Sequence, residues 1–230
     1  MIKMSPIQDT TMPVLTVCPS YQSSYKTDKL ISLGISDANS YRGGDFKGNS
    51  TKNEKEIFEE VSFSFAEVID SVEIVFPMNQ NNVSSLRLKS DQIEYKLAKH
   101  LSLGKCFVIN IKQFDEAIMS VTFLLKIPGY IYVNLKGQFR MSDSYSKVEV
   151  KLNQKLYIEL IYEIIKQNEE IICKTYTTET YDDCTEGAAE DYMRNTFNCT
   201  APFINSPKHL LICKDPEKSS KVWKSGFLLK

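Results

Sequence analysis

Cysteine is the residue type in this chain with the clearest capacity for chemistry. There are six, at Cys18, Cys106, Cys173, Cys184, Cys199 and Cys213. An even number of widely spaced cysteines fits three disulfides in an oxidising compartment, although the count alone does not choose the pairs. The alternative is six buried free thiols in a cytosolic protein. We favour disulfides, because so many cysteines are unusual for a cytosolic chain of 230 residues.

Metal and catalytic motifs give a weaker signal. A zinc site is conceivable at Cys184, Cys199, His209 and Cys213. The spacings between these residues do not match the paired spacing of ligands in structural zinc sites. The chain lacks the Cys-x-x-Cys, His-Glu-x-x-His, nucleophile-elbow, P-loop and dinucleotide-binding patterns. No pair of carboxylates stands out from the surface charge. We therefore expect neither enzyme activity nor a metal or cofactor.

Three asparagines begin Asn-x-Ser/Thr sequons and are candidate N-glycosylation sites: Asn49, Asn82 and Asn198. Asn49 and Asn82 fall in stretches that we predict to be surface loops, as glycosylation requires. Asn198 directly precedes a cysteine that we expect to be bonded, so modification there is less favoured.

Composition and charge argue against nucleic acid and anionic lipid as partners. Hydrophobic residues make up 42% of the chain and charged residues 25%, which is ordinary for a globular protein. The formal net charge is −1, and no basic stripe is visible. Because nucleic-acid and anionic-lipid binding depend on such a stripe, we expect neither partner.

The chain shows no segment that targets or spans a membrane. Residues 1–17 contain Asp9 and two prolines, which makes them a poor signal peptide. The longest apolar stretches, Val121–Leu135 and Leu156–Ile165, are interrupted by charges and fall short of the about 20 apolar residues that a spanning helix needs. Disulfides without an export signal lead us to expect a fragment of a longer protein.

The sequence predicts both strands and helices around the cysteines and sequons. Runs rich in β-branched and aromatic residues predict strands at Pro13–Cys18, Cys106–Ile111, Val121–Ile127, Tyr130–Leu135 and Leu156–Ile165, the last of which is also compatible with a helix. Helices are predicted at Thr27–Leu33, ending at Gly34, and at Phe65–Ile74 and Gly187–Phe197, the last two after capping-box spacings. Residues 36–53 and 79–85 are polar and predict loops.

The order of several short motifs resembles the degenerin/epithelial sodium channel (DEG/ENaC) family, in particular its arthropod members. The motifs are Pro13-Val-Leu-Thr-Val-Cys-Pro19, Tyr25-Lys-Thr-Asp-Lys-Leu30 with Gly34, Ser64-Phe-Ala-Glu-Val-Ile-Asp70, Gly104-Lys-Cys-Phe-Val-Ile-Asn110, and Tyr181-Asp-Asp-Cys184 followed by Asn198-Cys-Thr-Ala-Pro-Phe203. They resemble, in turn, the first strand after the membrane, the next short helix, a finger helix, a palm strand and the thumb signature. Together they span nearly the whole chain.

The resemblance implies cysteine pairs that composition cannot choose. It pairs Cys18 with Cys106 and Cys199 with Cys213. It leaves the partners of Cys173 and Cys184 open: the two could bond each other, whereas the matching cysteines of longer family members pair with a later thumb segment that this sequence lacks. The chain departs from the family at Ala188, where typical members have a further cysteine, and it lacks the transmembrane helices and the Gly-x-Ser pore motif.

The fold that the resemblance implies is an α+β extracellular domain. Its mainly antiparallel β core, a palm and β-ball, would carry a helical finger and part of a helical thumb. Residues 1–230 would form one such domain; its parts would be the first palm strand and following helix at 12–35, the finger at 53–100, the β-rich palm and β-ball at 104–172 and the partial thumb at 173–213.

The function that the resemblance implies is the extracellular, stimulus-sensing part of an amiloride-sensitive sodium channel subunit in the plasma membrane, gated by a ligand or by force. Its partners would be sibling subunits in a trimer and an extracellular ligand or matrix. The alternative is a secreted, disulfide-bonded binding domain with no channel activity. The residues do not indicate the stimulus.

Overall fold

The computed structural model describes residues 14–44, 51–79, 82–110, 120–134, 147–152, 191–202, 211–214, 218 and 221–222. These residues combine helices with two antiparallel sheets, which is compatible with the expected α+β class. In chain order the strands are β1 (Val14–Pro19), β2 (Ile69–Asn79), β3 (Asn82–Lys89), β4 (Tyr95–His100), β5 (Gly104–Asn110), β6 (Ser120–Leu125), β7 (Gly129–Asn134) and β8 (Lys147–Val150). The helices are α1 (Thr27–Ser32), α2 (Ala38–Arg42), α3 (Glu54–Val61) and α4 (Phe65–Val68), and residues 191–197 are also helical.

The larger sheet has five strands in the order β4-β5-β1-β7-β8, so the first strand of the chain lies at its centre. Strand β1 pairs with β5 on one side and β7 on the other, antiparallel to both. Leu15 and Val17 face one apolar cluster, and Cys18 faces another on the opposite side of the sheet. A strand buried on both faces explains why its sequence is almost continuously apolar and β-branched.

The smaller sheet has the order β3-β2-β6 and shares an apolar core with the larger one. Alternate residues of β2 contribute to this core, for example Val72 and Ile74, which are 1% and 0% exposed. Phe107 and Ile109 enter it from β5. This period-two burial identifies the core as the contact between two sheet faces.

A third apolar cluster, here called the helical cluster, joins α1, α2 and α3 to the segment around residues 191–202. Its members from the helices include Leu30, Tyr41 and Phe58, each 0% exposed, and Met193 enters from the later segment. Helix α3 begins with a capping box, in which Asn53 and Glu56 each accept the other's backbone N–H at 3.0 Å.

The prediction of a loop over residues 36–53 is wrong in part. Helix α2 lies within that range, and Asp37 caps it by accepting the N–H groups of Asn39 and Ser40 at 2.7 and 2.8 Å. The polar residues that suggested a loop include the cap of a short helix, because aspartate favours that position. Tyr41 then anchors the helix in the core.

Two further predictions need correction. The helix predicted at Phe65–Ile74 ends at Val68, because the β-branched residues after it alternate between the core and solvent as strand β2. Residues 79–85, predicted as a loop, include the end of β2 and the start of β3, which pair as far as Asn79 opposite Asn82. The strand predicted at Leu156–Ile165 lies outside the described residues.

Candidate functional site

A disulfide joins the central strand of the larger sheet, β1, to its neighbour β5. The sulfur atoms of Cys18 in β1 and Cys106 in β5 are 2.09 Å apart, and both side chains are fully buried. Their Cα atoms are 4.3 Å apart, because the strand register places the two residues directly opposite each other. That separation is typical of a closely spaced antiparallel pair.

The disulfide forms part of a row of side chains that crosses the sheet. Ala98 in β4 lies opposite Cys106, and Tyr130 in β7 lies opposite Cys18. All four belong to or pack against one apolar cluster on this face. The covalent bond therefore sits inside the sheet, where it holds the register of β1 against β5.

The chain leaves β1 through a tightly bonded segment, residues 20–26, which we call the junction. Ser20 donates its N–H to the carbonyl of Pro128 at 2.9 Å, which fixes the start of the junction to the turn before β7. Residues Tyr21–Ser23 form a 3₁₀ turn, and Lys26 donates its N–H to the Val61 carbonyl at the end of α3 at 2.8 Å. The junction thus connects the sheet to the helices.

Arg42, the last residue of α2, holds the junction through its guanidinium group. It donates to the Tyr21 carbonyl, to Ser24 Oγ at 2.6 Å and to Asn39 Oδ1 at 2.8 Å. The guanidinium also lies 3.8 Å from the centre of the Tyr21 ring. Arg42 is only 5% exposed, so these neutral acceptors replace water around its guanidinium, while Nε has no hydrogen-bond partner among the described residues. We call this set of contacts the Arg42 clamp.

Tyr25 connects the junction to the turn between β4 and β5. Its hydroxyl donates to the Leu101 carbonyl at 2.5 Å, and its ring meets the ring of Tyr41 edge-on at 4.9 Å between centroids. Burial raises the pKa of Tyr25 far above its ordinary value, and the nearby Arg42 charge only partly opposes this. The phenol therefore stays protonated and keeps its hydrogen bond at physiological pH.

Gly104 allows the junction and the turn to approach closely. It has a φ of +72°, and a Cβ there would lie 2.8 Å from the carbonyl oxygen of Ser24. Both the positive φ and the short distance require glycine at this position. Gly104 is also the first residue of β5, two positions before Cys106.

An ion cluster ties helix α3 to the same strands. The Glu59 carboxylate lies 2.5 Å from Lys105 Nζ in β5 and 3.3 Å from Lys99 Nζ in β4. Partial burial tends to raise the pKa of Glu59, but the hydrogen bonds and charges of the two lysines outweigh it and hold the pKa below its usual value. Glu59 therefore stays ionised and keeps both contacts.

The second disulfide lies in the helical cluster. The sulfur atoms of Cys199 and Cys213 are 2.07 Å apart, and both residues pack with Met193. Next to the bond, the Thr200 N–H donates to the Leu211 carbonyl at 2.9 Å, and the Cys213 N–H donates to the Thr200 carbonyl at 3.0 Å. The disulfide and these hydrogen bonds together hold residues 211–213 against residues 199 and 200, beside the helices.

The two disulfides are the two cysteine pairs that the family resemblance implies. Cys173, Cys184 and the sequon at Asn49 lie outside the described residues. Asn82 is the first residue of β3. Asn198 is exposed and follows helical residues 191–197 with a φ of 55°. Among the described residues, the Cys18–Cys106 bond and Asn82 lie apart from each other, whereas the Asn198 sequon contains Cys199 and so adjoins the second disulfide.

Sequence reasoning did not identify the Arg42 clamp. Arg42 lies in a stretch that was read as an exposed loop, and its partners are 18 and 21 positions away along the chain. Asp37 was the available signal, because an aspartate before Ala38 indicates a helix that would place Arg42 in its last turn. Tyr25 and Gly104 were noted only as parts of motifs.

Most contacts of the site join one element to another; the bond from Arg42 to Asn39 lies within α2. Within the described ranges, no group of three or more His, Cys, Asp or Glu side chains is placed to hold a metal ion. Nor do these ranges contain a helix long and apolar enough to cross a membrane. Comparison of the chain with protein-family models finds no match, and comparison with curated proteins also finds none.

Proposed function

We propose that this chain is the extracellular, stimulus-sensing part of a DEG/ENaC-type sodium channel subunit. The observation that carries the proposal is the disulfide between Cys18 and Cys106, which locks the central strand β1 to β5. In the family that the motifs resemble, the first palm strand follows the first membrane helix. A covalent bond on that strand would let it transmit force without slipping in register.

In this proposal the larger sheet, built around β1, is the palm. Helix α1 belongs to the segment that follows the first palm strand, α3 and α4 belong to the finger, and the segment around the Cys199–Cys213 bond belongs to the thumb. Movement of the helical cluster would reach β1 through the Arg42 clamp and the junction. The complete protein would be an amiloride-sensitive, sodium-selective trimer of sibling subunits in the plasma membrane.

The contacts favour this route because they are short and buried. Arg42 and Tyr25 are 5% and 3% exposed, and each hydrogen-bonds across an element boundary. Buried side chains of this kind are poorly screened by solvent, so a displacement of the helices is resisted at the junction and passed to β1. The Lys105–Glu59 contact adds a second connection to β5.

The first experiment is to sequence the full-length transcript across both ends of this reading frame. The proposal expects an apolar stretch of about 20 codons on each side, with a Gly-x-Ser in the second. The full-length protein, expressed in oocytes, should then produce an inward sodium current that amiloride blocks. A matched C18A/C106A variant should reach the surface in smaller amounts or carry less current per surface subunit.

The competing outcome is equally specific. If a signal peptide precedes the frame, a stop codon follows Lys230, and the protein accumulates in the medium, the chain is a secreted binding domain. Conduction would then be excluded, because a pore needs segments whose backbone is satisfied within the bilayer.

A further inference from the structure

The sequon at Asn198 has an unusual structural setting. The Asn198 side chain is exposed, as an acceptor of a glycan must be. The hydroxyl-bearing residue of the same sequon, Thr200, is only 3% exposed, and its Oγ1 has no hydrogen-bond partner among the described residues. In the folded protein, a transferase could therefore reach the Asn198 side chain but not the Thr200 hydroxyl.

The backbone of the sequon is also engaged. Asn198 donates its N–H to the carbonyls of Met193 and Arg194 at 3.1 and 3.0 Å. Thr200 forms a parallel bridge with Ile212, and Cys199 between them is bonded to Cys213. A transferase that must bind the whole Asn-x-Thr unit cannot draw this segment out of the fold without breaking these bonds.

We propose that Asn198 accepts an N-linked glycan only before the Cys199–Cys213 disulfide closes, so that glycan addition and disulfide closure compete in time. This inference rests on the extracellular placement in the proposed function. Once the bond has closed, the exposed Asn198 side chain tolerates a glycan already present but can no longer acquire one.

The two reactions that compete are chemically distinct. In glycan transfer, the Asn198 side-chain nitrogen forms a bond to the anomeric carbon of a lipid pyrophosphate-linked oligosaccharide. The carbon–oxygen bond to the pyrophosphate breaks, the lipid pyrophosphate leaves with the electron pair, and the amide nitrogen loses one proton. In closure, the Cys199 and Cys213 thiols lose two protons and two electrons to the disulfide of a thiol oxidoreductase, which becomes a dithiol.

The interval available for transfer lasts only seconds when an oxidoreductase closes the bond as soon as both cysteines are available. Cys213 lies 14 positions after Cys199. At ordinary translation speeds that separation is synthesised in about 1 to 3 s, after which closure becomes possible. Occupancy at Asn198 should therefore be partial.

The test translates the chain behind a cleavable signal sequence in the presence of endoplasmic-reticulum microsomes. Only protease-protected chains are analysed, and mass spectrometry of the tryptic peptide 195–208 measures occupancy after glycosidase treatment in heavy-oxygen water. The C213S variant removes the partner of Cys199 but leaves Asn-Cys-Thr intact. The C106S variant opens the other disulfide and controls for general unfolding. The added signal sequence supplies the lumenal placement, so the result does not depend on channel activity.

We expect occupancy at Asn198 to rise by at least about two-fold in C213S, because closure, a reaction of seconds or longer, no longer ends the interval. It should stay at the wild-type level in C106S. A dithiothreitol pulse during translation should raise wild-type occupancy to the C213S value. Equal occupancy in C213S and wild type, complete occupancy in wild type, or an equal rise in both variants would overturn the proposal.

Discussion

Cys18 lies directly opposite Cys106 at the centre of the larger sheet, in strands that are 88 positions apart along the chain. The other described disulfide joins residues only 14 positions apart. The two bonds are both buried, but they constrain the unfolded chain to very different degrees.

Removing the longer-range disulfide should cost more stability than removing the shorter one. In the loop-entropy description, C18A/C106A lowers the free energy of unfolding by about 4 to 5 kcal/mol and C199A/C213A by about 3 kcal/mol. Urea unfolding followed by circular dichroism measures both. The reverse order would mean that native-state packing around Cys199 outweighs the entropic difference.

The Arg42 clamp should contribute more than a surface arginine. R42M keeps the side-chain stem but removes the donors to the Tyr21 carbonyl and Ser24, and it should lower the free energy of unfolding by about 2 to 4 kcal/mol. R42K should recover only part of this loss, because an ammonium cannot reproduce the planar donor geometry.

Arg87 offers a matched control for the clamp. It is 64% exposed, lies 3.9 Å from Asp70 and donates from Nε to Ser71 Oγ at 3.1 Å, so R87M should lower the free energy of unfolding by about 1 kcal/mol or less. Chemical denaturation of the three variants side by side gives the comparison. Similar losses in R42M and R87M would contradict a special role for the clamp.

Gly104 should not tolerate a side chain. G104A places a Cβ 2.8 Å from the Ser24 carbonyl oxygen and forces alanine into a positive φ, so we expect a loss of about 2 kcal/mol or more. G43A is the comparison, because Gly43 has a φ of −71° and the nearest atom to its Cβ is 3.3 Å away. Thermal unfolding should rank G104A well below G43A, and equal melting temperatures would show that the turn can relax.

Glu67 should make stability depend on pH in the acid range. Partial burial opposes ionisation, but contacts with Lys26 and with the Ser64 N–H and hydroxyl lower the pKa of Glu67 to about 2. Because the folded pKa lies below the unfolded one, the contribution is present above about pH 4.5 and is lost as pH falls towards 2. The Lys26 and Glu67 side chains are 25% and 45% exposed, so Glu67 should contribute about 1 kcal/mol or less to the free energy of unfolding.

The measurement for Glu67 is the free energy of unfolding as a function of pH for wild type and E67Q. The two curves should differ above pH 4.5 and converge near pH 2. E60Q gives a second test of the same kind, since the hydrogen bond with Lys52 also lowers the pKa of Glu60. Parallel wild-type and E67Q curves over the whole range would exclude the proposed linkage.

The sequence predicted β1, β5, β6 and β7 but not β2, β3, β4 or β8, and it predicted α1 but not α2 or α3. β1, β5 and β7 are apolar and β-branched because each is buried within a sheet, so their local composition already contains the tertiary information. The capping spacing at Ser64 and Glu67 correctly indicated a helix start. It could not indicate the helix length, because that depends on whether the next residues continue the apolar side of a helix or pair with strands of a sheet.

The junction was beyond prediction because its contacts are long-range. Arg42 meets the Tyr21 carbonyl, and Tyr25 meets the Leu101 carbonyl, a backbone atom that carries no sequence signature. Gly104, which has a positive φ, and Asp37, which caps α2, are local signals, but neither indicates the distant partner. Sites made of side chains that bond to distant backbone atoms have no local pattern to recognise.

The central position of β1 has a consequence for biosynthesis. β1 is the first described strand to leave the ribosome, yet its two neighbours, β5 and β7, end at Asn110 and Asn134. Until they appear, β1 exposes two unpaired edges and is vulnerable to pairing with another chain. Closure of Cys18 with Cys106 would protect one edge before β7 arrives, so the bond would guard the nascent chain against aggregation before it serves the mature fold.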